Sequence, residues 1–295
     1  MTGSITGHTH LVGLIGWPVE HSLSPAMHNA AFEALGLDWR YVPLPVHPNQ
    51  VESAVRGLAA LGFAGANVTV PHKQTVMPHL SSVTPRVGQL GAVNTIVIGR
   101  GEDGRATLGG FNTDDTGFIR ALRQGGLEPL DCRALVLGAG GAARAVVFGL
   151  LWSGAASVVV LNRTPARAGA LVADLGPHSS YTRLTAGPLT PAALAEHAAE
   201  ANLLVNATSV GMWPQVEGSP WPDALPLPSH STVFDLVYTP RQTRLLRRAE
   251  AAGARTIDGL GMLVNQAALA FEMWTGEWPP LEVMWTAATE RLQKD

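Results

Sequence analysis

Leu135-Val136-Leu137-Gly138-Ala139-Gly140-Gly141-Ala142-Ala143-Arg144 is an apolar run of strand type that breaks at Gly138 and leads straight into a helical pattern, Ala142 to Leu151. Gly138, Gly140 and Ala143 fit the spacing G-x-G-x-x-G/A. In that spacing the first glycine lets the backbone turn, the second leaves room for a pyrophosphate, and the small third residue lets helix and strand approach. N–H groups at the helix start would face the phosphates. Small residues also occur at strand-to-helix turns that bind nothing, so the neighbouring sequence has to decide.

A second strand pattern, Ser157 to Leu161, ends about 20 residues after the glycines, where a ribose-reading residue belongs. A carboxylate there would hold the 2′-hydroxyl of NAD. This chain has Asn162-Arg163-Thr164 instead, with Arg167 one helical turn further on. Cations at this place fit a 2′-phosphate, which predicts NADP as the cofactor.

On the N-terminal side, Leu11 to Gly16, Trp39 to Leu44 and Ala66 to Val70 read as strands, with helices at Ala26 to Leu35 and Val51 to Leu61 between them. This β-α-β-α-β rhythm predicts parallel pairing. Ser24 suits a helix N-cap and Pro25 the first helical position; Ser22 has no such duty, so the two hydroxyls read as candidate anion binders. Lys73 follows the third strand, at the carboxyl end where open α/β sheets bind ligands. Of 20 basic residues only Lys73 and Lys294 are lysine. An ammonium exchanges its proton readily and a guanidinium does not, so Lys73 stands out as a candidate acid or base.

Ala92 to Ile98 and Ala106 to Phe111 read as a hairpin, and Asn112-Thr113-Asp114-Asp115 opens a helix to about Gln124. Either acid could serve only the helix dipole. Beyond the glycine turn come a helix from Pro165, a weak strand near Tyr181 to Leu184, a helix from Pro191, and a strand at Leu203 to Asn206. Residues 213–231 hold five prolines and read as an irregular surface excursion. Thr232 to Leu236 and Arg255 to Ile257 are the last strands, with a helix between them. From Gly259 onward the pattern is helical, with Trp274, Trp278 and Trp285 read as core or hinge packing.

The chain has 295 residues, 46% apolar and 15% charged, with a net charge of -3. That balance argues against a protein that coats nucleic acid or an anionic membrane. No uncharged apolar run reaches the ~18 residues of a membrane span, so the cytoplasm is the expected place. Cys132 is the only cysteine, which excludes an internal disulfide and a cysteine-based zinc site. The ten histidines lack the spacing of a metal motif, and no metal is expected.

These segments together resemble the shikimate dehydrogenase family. The pieces are Ser22-x-Ser24-Pro25-x-x-His28-Asn29, Asn67-Val68-Thr69-x-Pro71-x-Lys73, Gly91-Ala92-Val93-Asn94-Thr95, Asn112-Thr113-Asp114, Gly138-x-Gly140-Gly141-Ala142-x-Arg144, Asn162-Arg163-Thr164, Asn206-Ala207-Thr208-Ser209-x-Gly211-Met212, Asp235-x-x-Tyr238-x-Pro240-x-x-Thr243, and Gly261-Met262-Leu263-x-x-Gln266. The resemblance implies reversible reduction of 3-dehydroshikimate to shikimate with NADPH, a step of aromatic amino-acid biosynthesis. By matching position it implies Lys73 and Asp114 as the catalytic pair and Ser22 and Ser24 as carboxylate binders. Asn67, Thr69, Asn94, Tyr238 and Gln266 would complete the substrate site. Gly138, Gly140, Gly141, Ala142, Asn162, Arg163, Thr164, Arg167, Thr208, Ser209, Gly211, Met212, Gly259 and Met262 would surround NADP.

The expected architecture is α/β and two-lobed: an α/β substrate domain over 1–112, a Rossmann-like dinucleotide domain over 113–258, and C-terminal helices over 259–295 returning to the first. The expected partners are a small-molecule substrate and NADP, without nucleic acid or membrane, in a monomer or homodimer. The rival readings are a quinate/shikimate dehydrogenase of the same fold and a non-catalytic NADP-binding protein.

Overall fold

The computed structural model describes residues 5–179 and 181–293; Lys294 lies outside them. The chain forms two compact units, 1–113 with 264–295, and 114–263.

The first unit contains β1 (His10–Gly16), α1 (Ser24–Ala34), β2 (Trp39–Pro45), α2 (Val51–Ala60), β3 (Gly65–Val68), β4 (Ser82–Val83), α3 (Pro85–Leu90), β5 (Thr95–Arg100) and β6 (Ala106–Phe111). Its sheet runs β2-β1-β3-β5-β6-β4. β1 pairs parallel with β2 and β3, and β5 pairs antiparallel with β3 and β6. The hairpin expected from sequence is β5–β6, whose first strand starts at Thr95 rather than Ala92. Pro43 and Pro45 are tolerated in β2 because it is an edge strand. Ile15, Val55, Val68 and Ile96 belong to the core that α2 closes over this sheet.

The second unit holds α4 (Asp114–Gln124), β7 (Arg133–Leu137), α5 (Gly141–Trp152), β8 (Ser157–Asn162), α6 (Pro165–Leu175), β9 (Arg183–Pro188), α7 (Pro191–Ala198), β10 (Leu203–Asn206), β11 (Thr232–Asp235), α8 (Arg244–Ala251) and β12 (Arg255–Ile257). Every pair in its sheet is parallel, in the order β12-β11-β10-β7-β8-β9. Read from β9, that is the doubly wound order 3-2-1-4-5-6, with its switch point between β7 and β10. The four buried residues of β7 are all apolar, and β10 and β11, buried throughout, are apolar except for Thr232 at the start of β11 and Asn206 and Asp235 at the strand ends.

Helix α9 (Leu260–Thr275) begins in the second unit and continues into the first, where α10 (Leu281–Leu292) packs on α1. The Trp274 indole N–H donates to the Ile96 carbonyl at 2.9 Å, pinning α9 to β5. A side chain at Gly65 would meet both of these groups at 2.3 Å, so only glycine fits under the indole.

Three local expectations are corrected. Ser24 lies inside α1 rather than capping it; the preceding Leu23 is the cap position. Residues 213–231 are not wholly a surface excursion, because Trp221 is among the largest fully buried side chains of the chain. Arg248 on α8 explains this: its guanidinium donates to the carbonyls of Trp221, Pro222, Asp223 and Leu225, satisfying an irregular backbone that would otherwise resist burial. Trp274 is core as expected, whereas Trp278 and Trp285 are 41% and 37% exposed.

Candidate active site

In the second unit the glycine turn sits at the switch point. Gly138 follows β7 with φ +110°, a conformation closed to most side chains, and an added Cβ would meet the Ala207 carbonyl and the Thr208 methyl at 3.0 Å. Gly140 is the N-cap of α5, carries no side-chain cap, and has open space where a Cβ would point. Ala143 is fully buried. The turn therefore presents an uncapped helix start with room for an anion, the arrangement that a dinucleotide pyrophosphate requires. Arg163 and Arg167 are exposed at the start of α6, and Asn162 donates to the Thr164 carbonyl at 2.9 Å.

Opposite Gly138, residues 206–212 are shaped by side chains rather than by regular structure. The Asn206 Oδ1 accepts from the Thr208 N–H at 3.0 Å and hydroxyl at 2.7 Å, and its Nδ2 donates to Asp235 at 2.8 Å. Asp235 also accepts from the Val237 N–H at 3.1 Å and the Thr243 hydroxyl at 2.7 Å. Asn206 and Asp235 are register partners at the ends of β10 and β11, so one buried carboxylate organises both loops at that edge. Burial pushes its carboxyl up to about 6, against the three donors that favour the charged form. Ser209 and Met212 are exposed, and Met262 is buried. Gly211 has φ +94°, and a Cβ on Gly259 would strike the Leu236 carbonyl at 2.1 Å. Tyr238 is half-buried, directly after the anchored Val237.

In the first unit, Asn67, Asn94 and Gln266 are buried together. Asn67 Nδ2 donates to the Asn94 carbonyl at 3.1 Å and to the Thr95 hydroxyl at 3.2 Å. Asn94 Nδ2 donates to the Thr113 hydroxyl at 2.9 Å and to Gln266 Oε1 at 3.4 Å, while its Oδ1 accepts from the Thr113 N–H at 2.8 Å. Lys73 is half-buried, and its carbonyl accepts from the Val93 N–H at 2.7 Å, which fixes the lysine's backbone beside Asn94. Asp114 is buried and follows Thr113 directly in the chain. The Thr69 N–H donates to Ile15 at 2.9 Å.

Ser22 does have a local duty, contrary to expectation: its oxygen accepts from the Ser24 N–H at 3.2 Å. Its hydroxyl proton stays available for an anion. Ser24 is buried within the first turn of α1. Cys132 is buried and its thiol is pushed up to about 12, an unreactive state. The roles of two groups escaped the sequence reading. Tyr41 donates to Asn67 Oδ1 at 2.8 Å, and Asp235 builds the Asn206 network. A polar residue ending an otherwise apolar strand was the available signal for Asp235.

Comparison with known proteins places these geometries. The "Shikimate dehydrogenase substrate binding domain" matches residues 14–96, "Shikimate / quinate 5-dehydrogenase" matches 122–218, and "Shikimate 5'-dehydrogenase C-terminal domain" matches 259–289. A shikimate dehydrogenase (NADP+) of Methanopyrus kandleri is 47% identical over 98% of both chains. The chain belongs to the shikimate dehydrogenase family. Among solved structures, the Thermus thermophilus shikimate 5-dehydrogenase in complex with NADP(H) and shikimate is similar at a TM-score of 0.83 and 42% identity, covering 96% of this chain and 100% of that one. A quinate dehydrogenase from Corynebacterium glutamicum in complex with NAD reaches a TM-score of 0.85 at 32% identity, over 96% and 99%. Solved structures similar to this chain thus include one named for shikimate, in complex with NADP(H) and shikimate, and one named for quinate, in complex with NAD.

Proposed function

We propose that the chain catalyses the reversible, NADPH-dependent reduction of 3-dehydroshikimate to shikimate. The observation that carries this reading is the buried amide cluster of Asn67, Asn94 and Gln266, with Lys73 anchored beside it. Amides offer both donors and acceptors, which a polyhydroxylated ring needs. Ser22 and Ser24 hold the carboxylate, and Thr69 and Tyr238 complete the substrate site. Residues 1–112 and 259–295 form the substrate lobe and 113–258 the NADP lobe. A small-molecule substrate and NADP are the partners, in a cytoplasmic monomer or homodimer.

The uncapped turn at Gly138, Gly140, Gly141 and Ala142 would hold the pyrophosphate. Asn162, Arg163, Thr164 and Arg167 would hold the 2′-phosphate, with Thr208, Ser209, Gly211, Met212, Gly259 and Met262 along the remaining cofactor. When bound, NADPH supplies a hydride to the ketone carbon. Negative charge then grows on the ketone oxygen, and Lys73 meets it as cation and proton donor. By matching position, Asp114 is the second member of the catalytic pair.

Two tests follow from the site. Replacing Arg163 and Arg167 together with uncharged residues is expected to raise KM for NADP by about 10- to 100-fold and to leave KM for NAD within about twofold, since only NADP loses a phosphate partner. An unchanged ratio of the two places the phosphate elsewhere. The second test is steady-state oxidation of shikimate and quinate with each cofactor. Quinate carries an extra hydroxyl on the carbon bearing its carboxylate, beside Ser22 and Ser24. Burying that hydroxyl unpaired costs about 1 to 3 kcal/mol, so kcat/KM for shikimate should exceed that for quinate at least about tenfold. Equal values would assign the chain to the dual-substrate enzymes.

A further inference from the structure

Tyr41 is held on three sides. Its main chain lies on the outer edge of β2, where a neighbouring strand is lacking, and the Asn29 carboxamide takes that strand's place. Asn29 Nδ2 donates to the Tyr41 carbonyl at 2.9 Å, and the Tyr41 N–H donates to Asn29 Oδ1 at 2.8 Å. Its ring stacks on His28 with centroids 4.4 Å apart and planes 1° from parallel, and tilts against Trp274 at 6.1 Å. The phenol is buried, and burial holds it in the neutral form. A phenylalanine would fill this apolar wall without the cost of burying a hydroxyl. The hydroxyl is instead spent on a group that faces the substrate in the reading above: it donates to Asn67 Oδ1 at 2.8 Å.

That single proton gives direction to a chain of bonds. Because Asn67 Oδ1 accepts from Tyr41, its Nδ2 points to the Asn94 carbonyl and to the Thr95 hydroxyl. Thr95 accepts there, so its one hydrogen goes to Asn94 Oδ1 at 2.9 Å. Asn94 Nδ2 is left to face Thr113 and Gln266. Both hydrogens of Asn67 are consumed inside the protein, and the second lone pair of its Oδ1 is the capacity that remains for a ligand. We propose that Tyr41 is a positioning residue of the substrate site: its hydroxyl fixes the Asn67 carboxamide so that it meets a ring hydroxyl as an acceptor.

The inference rests on the dehydrogenase reading, and Tyr41→Phe tests it in the intact chain. The aromatic stack survives the change, so the melting temperature should stay within a few degrees. KM for shikimate should rise about tenfold, while KM for NADP and kcat stay within about threefold. Monodeoxy analogues of shikimate sharpen the result. The wild-type enzyme should bind one of them much less well than shikimate, and Tyr41→Phe should lose most of that difference, as coupled groups do. An active wild-type enzyme with an unchanged shikimate KM in Tyr41→Phe overturns the inference alone. Equal rises in both KM values also overturn it, because they would mark general loosening. A wild-type chain inert towards shikimate overturns the dehydrogenase reading and this inference together.

Discussion

Lys73→Ala is expected to lower kcat by about 10²- to 10⁴-fold, the usual size of acid–base assistance, with a much smaller change in substrate KM. The loss should be chemical rather than structural. The bond that fixes residue 73 runs from the Val93 N–H to the main-chain carbonyl, and alanine keeps it. The residue lies just beyond the end of β3 in a turn, outside any helix or strand that a shorter side chain would weaken. Lys73→Arg should not restore the rate. A guanidinium supplies the positive charge but holds its proton too firmly to give it to an alkoxide, so the two variants separate electrostatic help from proton transfer. Single-turnover rates with saturating NADPH would measure this step apart from product release. Near-normal kcat in either variant would remove Lys73 as the proton donor.

What could be read from the sequence depended on how local the cause was. The turn at Gly138 was legible because strand, glycines and helix follow one another within ten residues, and the order of apolar runs around it fixed the doubly wound sheet. Lys73 stood out through its place beyond a strand end and its rarity among the basic residues. The roles of Ser22 and Ser24 within the first turn were misplaced, since cap preference describes a typical helix start, whereas here the chain is already helical at Leu23. Trp221 was read as surface because nothing near it is periodic; its burial depends on a guanidinium 27 residues away. Strand β4 and helix α3, two and six residues long, are too short to show a period. Tyr41 lies 26 residues from Asn67, and no local pattern connects a strand tyrosine with the amide it orients.

Acid should act on the two units in opposite directions. His28 is fully buried among Tyr41, Phe32, Phe271 and Trp274, and neither ring nitrogen has a hydrogen-bond partner among the described residues. Burial pushes it from 6.5 down to about 3. Between those values the unfolded chain binds the proton and the fold does not, so stability is full above pH 6.5 and is lost as pH falls towards 3. At pH 5 the loss amounts to about 2 kcal/mol. Asp235 has the reverse sign. Its carboxyl is raised from 3.8 to about 6, so the fold takes up a proton before the unfolded chain does, and stability grows as pH falls through that window. The gain at pH 5 is about 1 kcal/mol. Because His28 belongs to the first unit and Asp235 to the second, calorimetry between pH 8 and 5 should show the first losing stability while the second gains. His28→Phe keeps an aromatic ring in the stack and removes the titrating group, so its stability should fall less steeply with acid than that of the wild-type chain. Asp235→Asn should remove the gain and leave the steeper fall. The comparison is between slopes, and a fixed packing penalty in either variant cancels. Parallel pH profiles for His28→Phe and the wild-type chain would show that acid sensitivity arises elsewhere.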